Sequence, residues 1–110
     1  MIQIVNKYKH TPTPNDVYIG RGSPLGNPFS WHPNVDSKFR VTDRTEAINK
    51  YVEYANWAKM NDPAFRAVLD RLIEMTLRHE PVNLVCFCAP KICHGNVLKE
   101  IIETEIKNYK

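Results

Sequence analysis

Three cysteines, a histidine and a glycine crowd into Cys86-Phe87-Cys88-Ala89-Pro90-Lys91-Ile92-Cys93-His94-Gly95-Asn96, where an apolar run ends and an amphipathic run begins. Three chemistries suit these residue types. Cys86, Cys88, Cys93 and His94 make a four-ligand zinc set, although structural zinc usually draws on two short Cys-Cys knuckles and the spacing here is Cys-x-Cys-x4-Cys-His. Cys86 and Cys88 would share a strand face, whereas the neighbours Cys93 and His94 diverge unless the turn is tight. In the second chemistry Cys93 is a nucleophile: a helix start and the nearby Lys91 and His94 favour the thiolate, with His94 as acid or base. The third is anion binding by amides at the start of the last helix. Gly95 would allow close approach, and Cys88 and Asn96 complete that turn. Against all three stands a plainer reading, in which Cys86 is a small core residue and Cys93 packs or caps at the turn.

A second run, Gly20-Arg21-Gly22-Ser23-Pro24-Leu25-Gly26-Asn27-Pro28-Phe29, carries a different set of groups. Arg21 is suited to a bidentate grip on phosphate or carboxylate, and Gly22 and Ser23 complete a small-residue turn around it. Gly26 and Asn27 tolerate left-handed backbone, and the Asn27 amide is either a ligand reader or a lock for the loop. Phe29 and Trp31 serve as stacking surfaces or as anchors of a long loop. His32 and His79 read as surface residues.

The elements that position these groups follow from periodicity. Residues 2–5 and 16–21 read as strands, separated by a link that Pro12 and Pro14 keep irregular. Residues 22–41 are irregular, and loops of that length in small domains are often functional. A helix begins after Asp43 with Glu46 in its first turn, followed by Ala47, Ile48, Tyr51, Val52, Ala55 and Ala58 at helical spacing. Asp62-Pro63 opens another, whose apolar face is Phe65, Val68, Leu69, Leu72 and Ile73. Residues 82–88 are almost continuously apolar, as in a parallel strand buried on both faces. A last helix spans about 95–106, with Leu98, Ile101, Ile102 and Ile106 on one side. The expected architecture is a single α/β domain over residues 1–110: a small Rossmann-like, three-layer arrangement with a short, mostly parallel sheet flanked by helices. Both loops then lie at the carboxyl ends of strands, the usual ligand position in such folds.

Composition narrows the function. The 110 residues are 43% hydrophobic and 25% charged, ordinary values for a globular chain. The net charge of +3 comes from interleaved basic and acidic residues. Without a basic stripe, nucleic acid is compatible with the sequence but not indicated. No apolar run approaches a membrane span and the amino end has no secretory pattern, so a cytoplasmic protein with reduced thiols is expected.

The 17–29 run, a Tyr-containing helix near Tyr51, and Leu84-Val85-Cys86-Phe87-Cys88-Ala89-Pro90 with Cys93-His94-Gly95-Asn96-Val97-Leu98 together resemble the family called domain of unknown function 4326. The resemblance covers most of the chain and implies a short, stand-alone phage or bacterial protein. The family's pattern has Asp after Cys-His-Gly, where this chain has Asn96. A shorter likeness, the strand followed by Cys-His at a helix start, is to domain of unknown function 488. The functional expectation is binding of a nucleotide, nucleoside or other phosphorylated small molecule between the two loops, with hydrolysis or group transfer as the reaction class if the ligand is turned over. No cofactor is implied. Two alternatives stay open: a phage-type accessory protein that binds a host protein or nucleic acid, and a zinc module built on Cys86, Cys88, Cys93 and His94.

Overall fold

The computed structural model describes residues 2–30, 39–87 and 93–108. Its elements in chain order are β1 (Ile2–Asn6), β2 (Asp16–Tyr18), β3 (Phe29–Ser30), β4 (Phe39–Arg40), α1 (Arg44–Asn61), α2 (Pro63–Leu77), β5 (Val82–Cys86) and α3 (His94–Lys107). This is a small α/β fold.

The helix boundaries come from local chemistry. The Asp43 carboxylate accepts from the Glu46 N–H (2.8 Å), which satisfies one donor of the first turn of α1, and the Glu46 carboxylate reaches back to the Thr42 N–H just before the cap (3.3 Å). Asp62 both closes α1 and opens α2. Its own N–H donates to Ala58 O (2.8 Å), its carboxylate accepts from Ala64 N (3.0 Å), and Pro63 fills the first helical position, where no N–H is needed. Arg66 then ties α2 to α3 through a two-bond grip on Glu105, both bonds 2.9 Å. Part-exposed as it is, that pair contributes about 1 kcal/mol or less.

The three longer strands form an all-parallel sheet in the order β1-β5-β2. Register runs from Ile2 opposite Val82 to Asn6 opposite Cys86, and from Asp16 opposite Asn83 to Tyr18 opposite Val85. All five residues of β5 are buried, as its near-continuous apolarity requires. On one face Ile2, Val17, Ile19, Val82, Leu84 and Cys86 join Phe65, Leu69, Leu72, Leu98 and Ile102 from the helices in one core cluster. The alternate face is met by the crossover between β1 and β2. Asn83 donates to Asp16 Oδ1 (3.1 Å) and Thr13 Oγ1 (3.3 Å), and Asn15 donates to Pro81 O (2.9 Å). Residues 7–15 are too few for a crossover helix, which takes about a dozen residues or more, so the second covering layer is irregular chain. Burial pushes the Asp16 carboxyl up, but hydrogen bonds from His10, Thr13 and Asn83 outweigh it and hold the group well below the usual carboxylate range.

Boundaries differ from the sequence reading in instructive ways. β2 ends at Tyr18, although Ile19 N still donates to Val85 O (3.0 Å) before the chain turns away. β5 ends at Cys86, with Phe87 in a bend. The 22–41 stretch contains a two-stranded parallel pair, β3 with β4, that the sequence reading did not anticipate. Strands of two residues are shorter than any periodicity can register.

Candidate functional site

Where β2 runs out, the chain makes two turns in succession. The Ser23 N–H and hydroxyl both donate to Gly20 O (3.1 and 2.7 Å), and Gly26 N–H donates to Ser23 O (2.9 Å). Gly22 takes the left-handed conformation with φ of 93°. A Cβ on Gly26 would lie 2.6 Å from Gly20 O, so the second turn closes against the first only where no side chain intervenes. The Tyr18 hydroxyl donates to Arg21 O (3.1 Å), which fixes the turn from the strand side. The Arg21 side chain is exposed, and no carboxylate among the described residues pairs with it.

The rest of this loop is pinned to α1. In the core, the Tyr51 hydroxyl donates to Leu25 O (2.7 Å). Asn27 donates to Ala47 O (3.1 Å) while its side-chain oxygen accepts from Phe29 N (2.9 Å), so both ends of the amide hold the loop in shape. Of the two readings of Asn27, these bonds describe the lock. Burial raises the Tyr51 pKa far above its ordinary value, with Tyr54 and Cys93 adding to the effect, so the hydroxyl remains a donor.

At the start of α3, Cys93 is the N-cap. Its thiol accepts from Gly95 N (3.4 Å), and the Asn96 side-chain oxygen accepts from the Cys93 N–H (3.0 Å). A carboxylate at position 96 would accept the same bond, so Asn96 preserves the cap where the resembling pattern has Asp. Cys93 is 3% exposed, and its sulfur lies 3.5 Å from that of Cys86; both are thiols. Gly95 is equally committed. A Cβ there would meet Ile19 Cδ1 at 3.0 Å and Ile4 Cγ2 at 3.2 Å, so the helix start sits directly on the sheet.

His94 joins the two loops. Its Nε2 hydrogen-bonds Ile19 O, the last carbonyl before the Gly20 turn, and its ring stands edge-on to Tyr51 at 5.0 Å. A carbonyl only accepts, so Nε2 carries the proton and Nδ1 keeps the ring's lone pair. Burial lowers the His94 pKa; the Ile19 bond opposes this, and the charge of Arg21 lowers it further. The turn bearing Arg21 and the turn bearing the thiol and imidazole are therefore neighbours at one edge of the sheet. Cys88, with Lys91 and the rest of residues 88–92, lies outside the described residues, as do Trp31 and His32. Among the described residues no group of three or more His, Cys, Asp or Glu side chains is placed to hold a metal ion.

The buried imidazole gives a pH prediction. The folded protein resists protonating His94 below its ordinary value of 6.5, whereas the unfolded chain does not. The unfolded state then binds more protons, so this contribution is complete above pH 6.5 and is lost as pH falls toward the lower folded value. His94→Gln, which keeps a donor for Ile19 O but cannot titrate, should show a flatter melting temperature between about pH 5 and 6.5 than the wild type. Parallel profiles would contradict a buried neutral imidazole.

Sequence reasoning missed Tyr51, which contacts both loops, and the rings of Tyr8, Tyr18 and Phe87 beside the Arg21 turn. Tyr51 sits at a core position of a helix and looks like packing. Its hydroxyl, a polar tip on a buried ring that requires a partner, was the available signal. No helix among the described residues is long and apolar enough to cross a membrane. Compared with known families, residues 2–104 match the one described as Domain of unknown function (DUF4326). Neither the curated proteins nor the solved structures contain a match.

Proposed function

We propose that the chain, which belongs to the domain of unknown function 4326 family, is a cytoplasmic protein that binds a nucleotide, nucleoside or other phosphorylated small molecule on a Rossmann-like frame. The site is the edge where residues 20–29 meet residues 93–96 at the start of α3. The hydrogen bond from His94 to Ile19 O carries this reading, because it brings the start of α3 beside the turn that presents Arg21. Arg21 meets the anion, the exposed Gly22 backbone flanks it, and the positive end of α3 favours negative charge nearby. Carboxyl ends of parallel strands are where α/β folds commonly hold ligands. If the ligand is turned over, hydrolysis or group transfer is the class, with the His94 Nδ1 lone pair as the base and Cys93 as the candidate nucleophile once the cap opens.

A thermal-shift panel of nucleotides, nucleosides, phosphosugars and neutral sugars tests the proposal. A ligand at a hundredfold excess over its dissociation constant adds about 2.7 kcal/mol, which raises the melting temperature of a chain this size by on the order of 10 °C. Phosphorylated compounds should produce the shift and neutral sugars should not. A flat response across the panel overturns the proposal in favour of an accessory protein whose partner is a macromolecule.

A further inference from the structure

Each strand of the sheet leaves an aromatic ring in solvent at its carboxyl end. Tyr8 follows β1, Tyr18 ends β2 and Phe87 follows β5, and they are 83%, 38% and 42% exposed. The rings are contiguous: Tyr8 and Phe87 have centroids 5.2 Å apart, and Tyr18 and Phe87 6.0 Å. Lys7 Nζ stands 5.3 Å from the Tyr18 centroid and 5.5 Å from that of Phe87. The Tyr18 hydroxyl holds the Arg21 carbonyl, so the rings and the Arg21 turn share one edge. None of the three rings belongs to the core cluster or to the partly buried residues packed against it.

We propose that Tyr8, Tyr18 and Phe87 form a stacking platform for a nucleobase, with Lys7 and Arg21 as its phosphate contacts, which narrows the ligand to a nucleoside phosphate. The inference rests on the anion site proposed above and adds the part of the ligand that the anion site does not read. A nucleotide has a flat π face and a compact anion, and this edge offers exposed rings with Lys7 over them and, bonded to Tyr18, the turn that carries Arg21. A phosphosugar uses the cations and leaves the rings bare. Without ligand, Lys7 lies over the ring faces, but an exposed cation–π contact is weaker than a base stacked on an aromatic ring. An arriving base displaces the ammonium, and the flexible lysine stem lets it turn to the phosphate. The rings are inclined to one another by 47° and 77°, so a base stacks on the face of one ring with the others at its rim, the scale of one nucleotide rather than of a polymer track.

The test compares AMP, ribose 5-phosphate and a short single-stranded oligonucleotide by calorimetric titration against the wild type, Phe87→Ala and the Tyr8→Ala/Phe87→Ala double variant. All three rings are solvent-exposed, so the variants should fold; circular dichroism and melting curves confirm it. Removing a stacking ring typically costs about 5- to 150-fold in affinity. The expected result is that AMP binds the wild type at least about 5-fold more tightly than ribose 5-phosphate, that the variants lose this advantage, and that ribose 5-phosphate binds all three proteins alike. Equal affinities for AMP and ribose 5-phosphate, unchanged in the variants, overturn the platform and leave the anion site standing. An oligonucleotide that binds far more tightly than AMP overturns the commitment to a mononucleotide. A wild type that binds none of the three overturns platform and anion site together.

Discussion

Tyr51→Ala is expected to lower the unfolding free energy by about 3–5 kcal/mol, the usual cost of removing a large buried aromatic side chain. Tyr51 is fully buried in α1 and does two things at once: its hydroxyl donates to Leu25 O (2.7 Å) and its ring packs edge-on against His94. Truncation opens a cavity and leaves the Leu25 carbonyl without its partner. Tyr51→Phe separates the two effects. It keeps the ring and orphans only the carbonyl, at a cost of about 1–3 kcal/mol. Small domains have only about 5–15 kcal/mol in total, so the alanine variant should unfold at much lower urea and the phenylalanine variant at an intermediate midpoint. Both should also weaken ligand binding, because the 20–29 loop and the start of α3 lose a shared support. Unfolding free energies within about 0.5 kcal/mol of wild type for both variants would mean that Tyr51 does not hold the two loops together.

Much of this architecture was legible in the chain, for reasons that particular residues make clear. Asp62-Pro63 followed by Phe65, Leu69 and Leu72 specifies the start and buried face of α2 with purely local chemistry, and the structure has both. The apolar run of β5 and its parallel pairing follow from burial on two faces. The two loops were singled out by residue type, and the start of α3 does adjoin the Gly20 turn, but the bond between them links residues 75 apart in sequence, a separation no local pattern encodes. Cys93 as an N-cap is nearly invisible in sequence, because Ser, Thr, Asp and Asn are the usual residues there. Tyr18 reads as one more strand residue. Only its exposure and its contact with Phe87 show it standing outside the core at the end of the strand.

Arg21→Ala is the prediction with the largest expected effect on function. The side chain is exposed at the tip of a turn whose shape is held by Gly22, Gly26, Ser23 and Tyr18, so its removal should change stability by no more than about 0.5 kcal/mol. Hydrogen bonds to charged groups are worth about 1.5–3 kcal/mol, which corresponds to a loss of roughly 10- to 150-fold in affinity for a phosphorylated ligand. Arg21→Lys keeps the charge but not the planar fork, and should fall between the two.

An amide chemical-shift titration of isotope-labelled protein with AMP tests the central claim directly, since it reports where the ligand sits as well as how tightly it binds. A shared site predicts that the Gly22 and His94 amides move together, saturate with one dissociation constant, and need roughly 10- to 150-fold more AMP in Arg21→Ala. Movement confined to one of the two loops, or an Arg21→Ala titration that overlays the wild type, would contradict it.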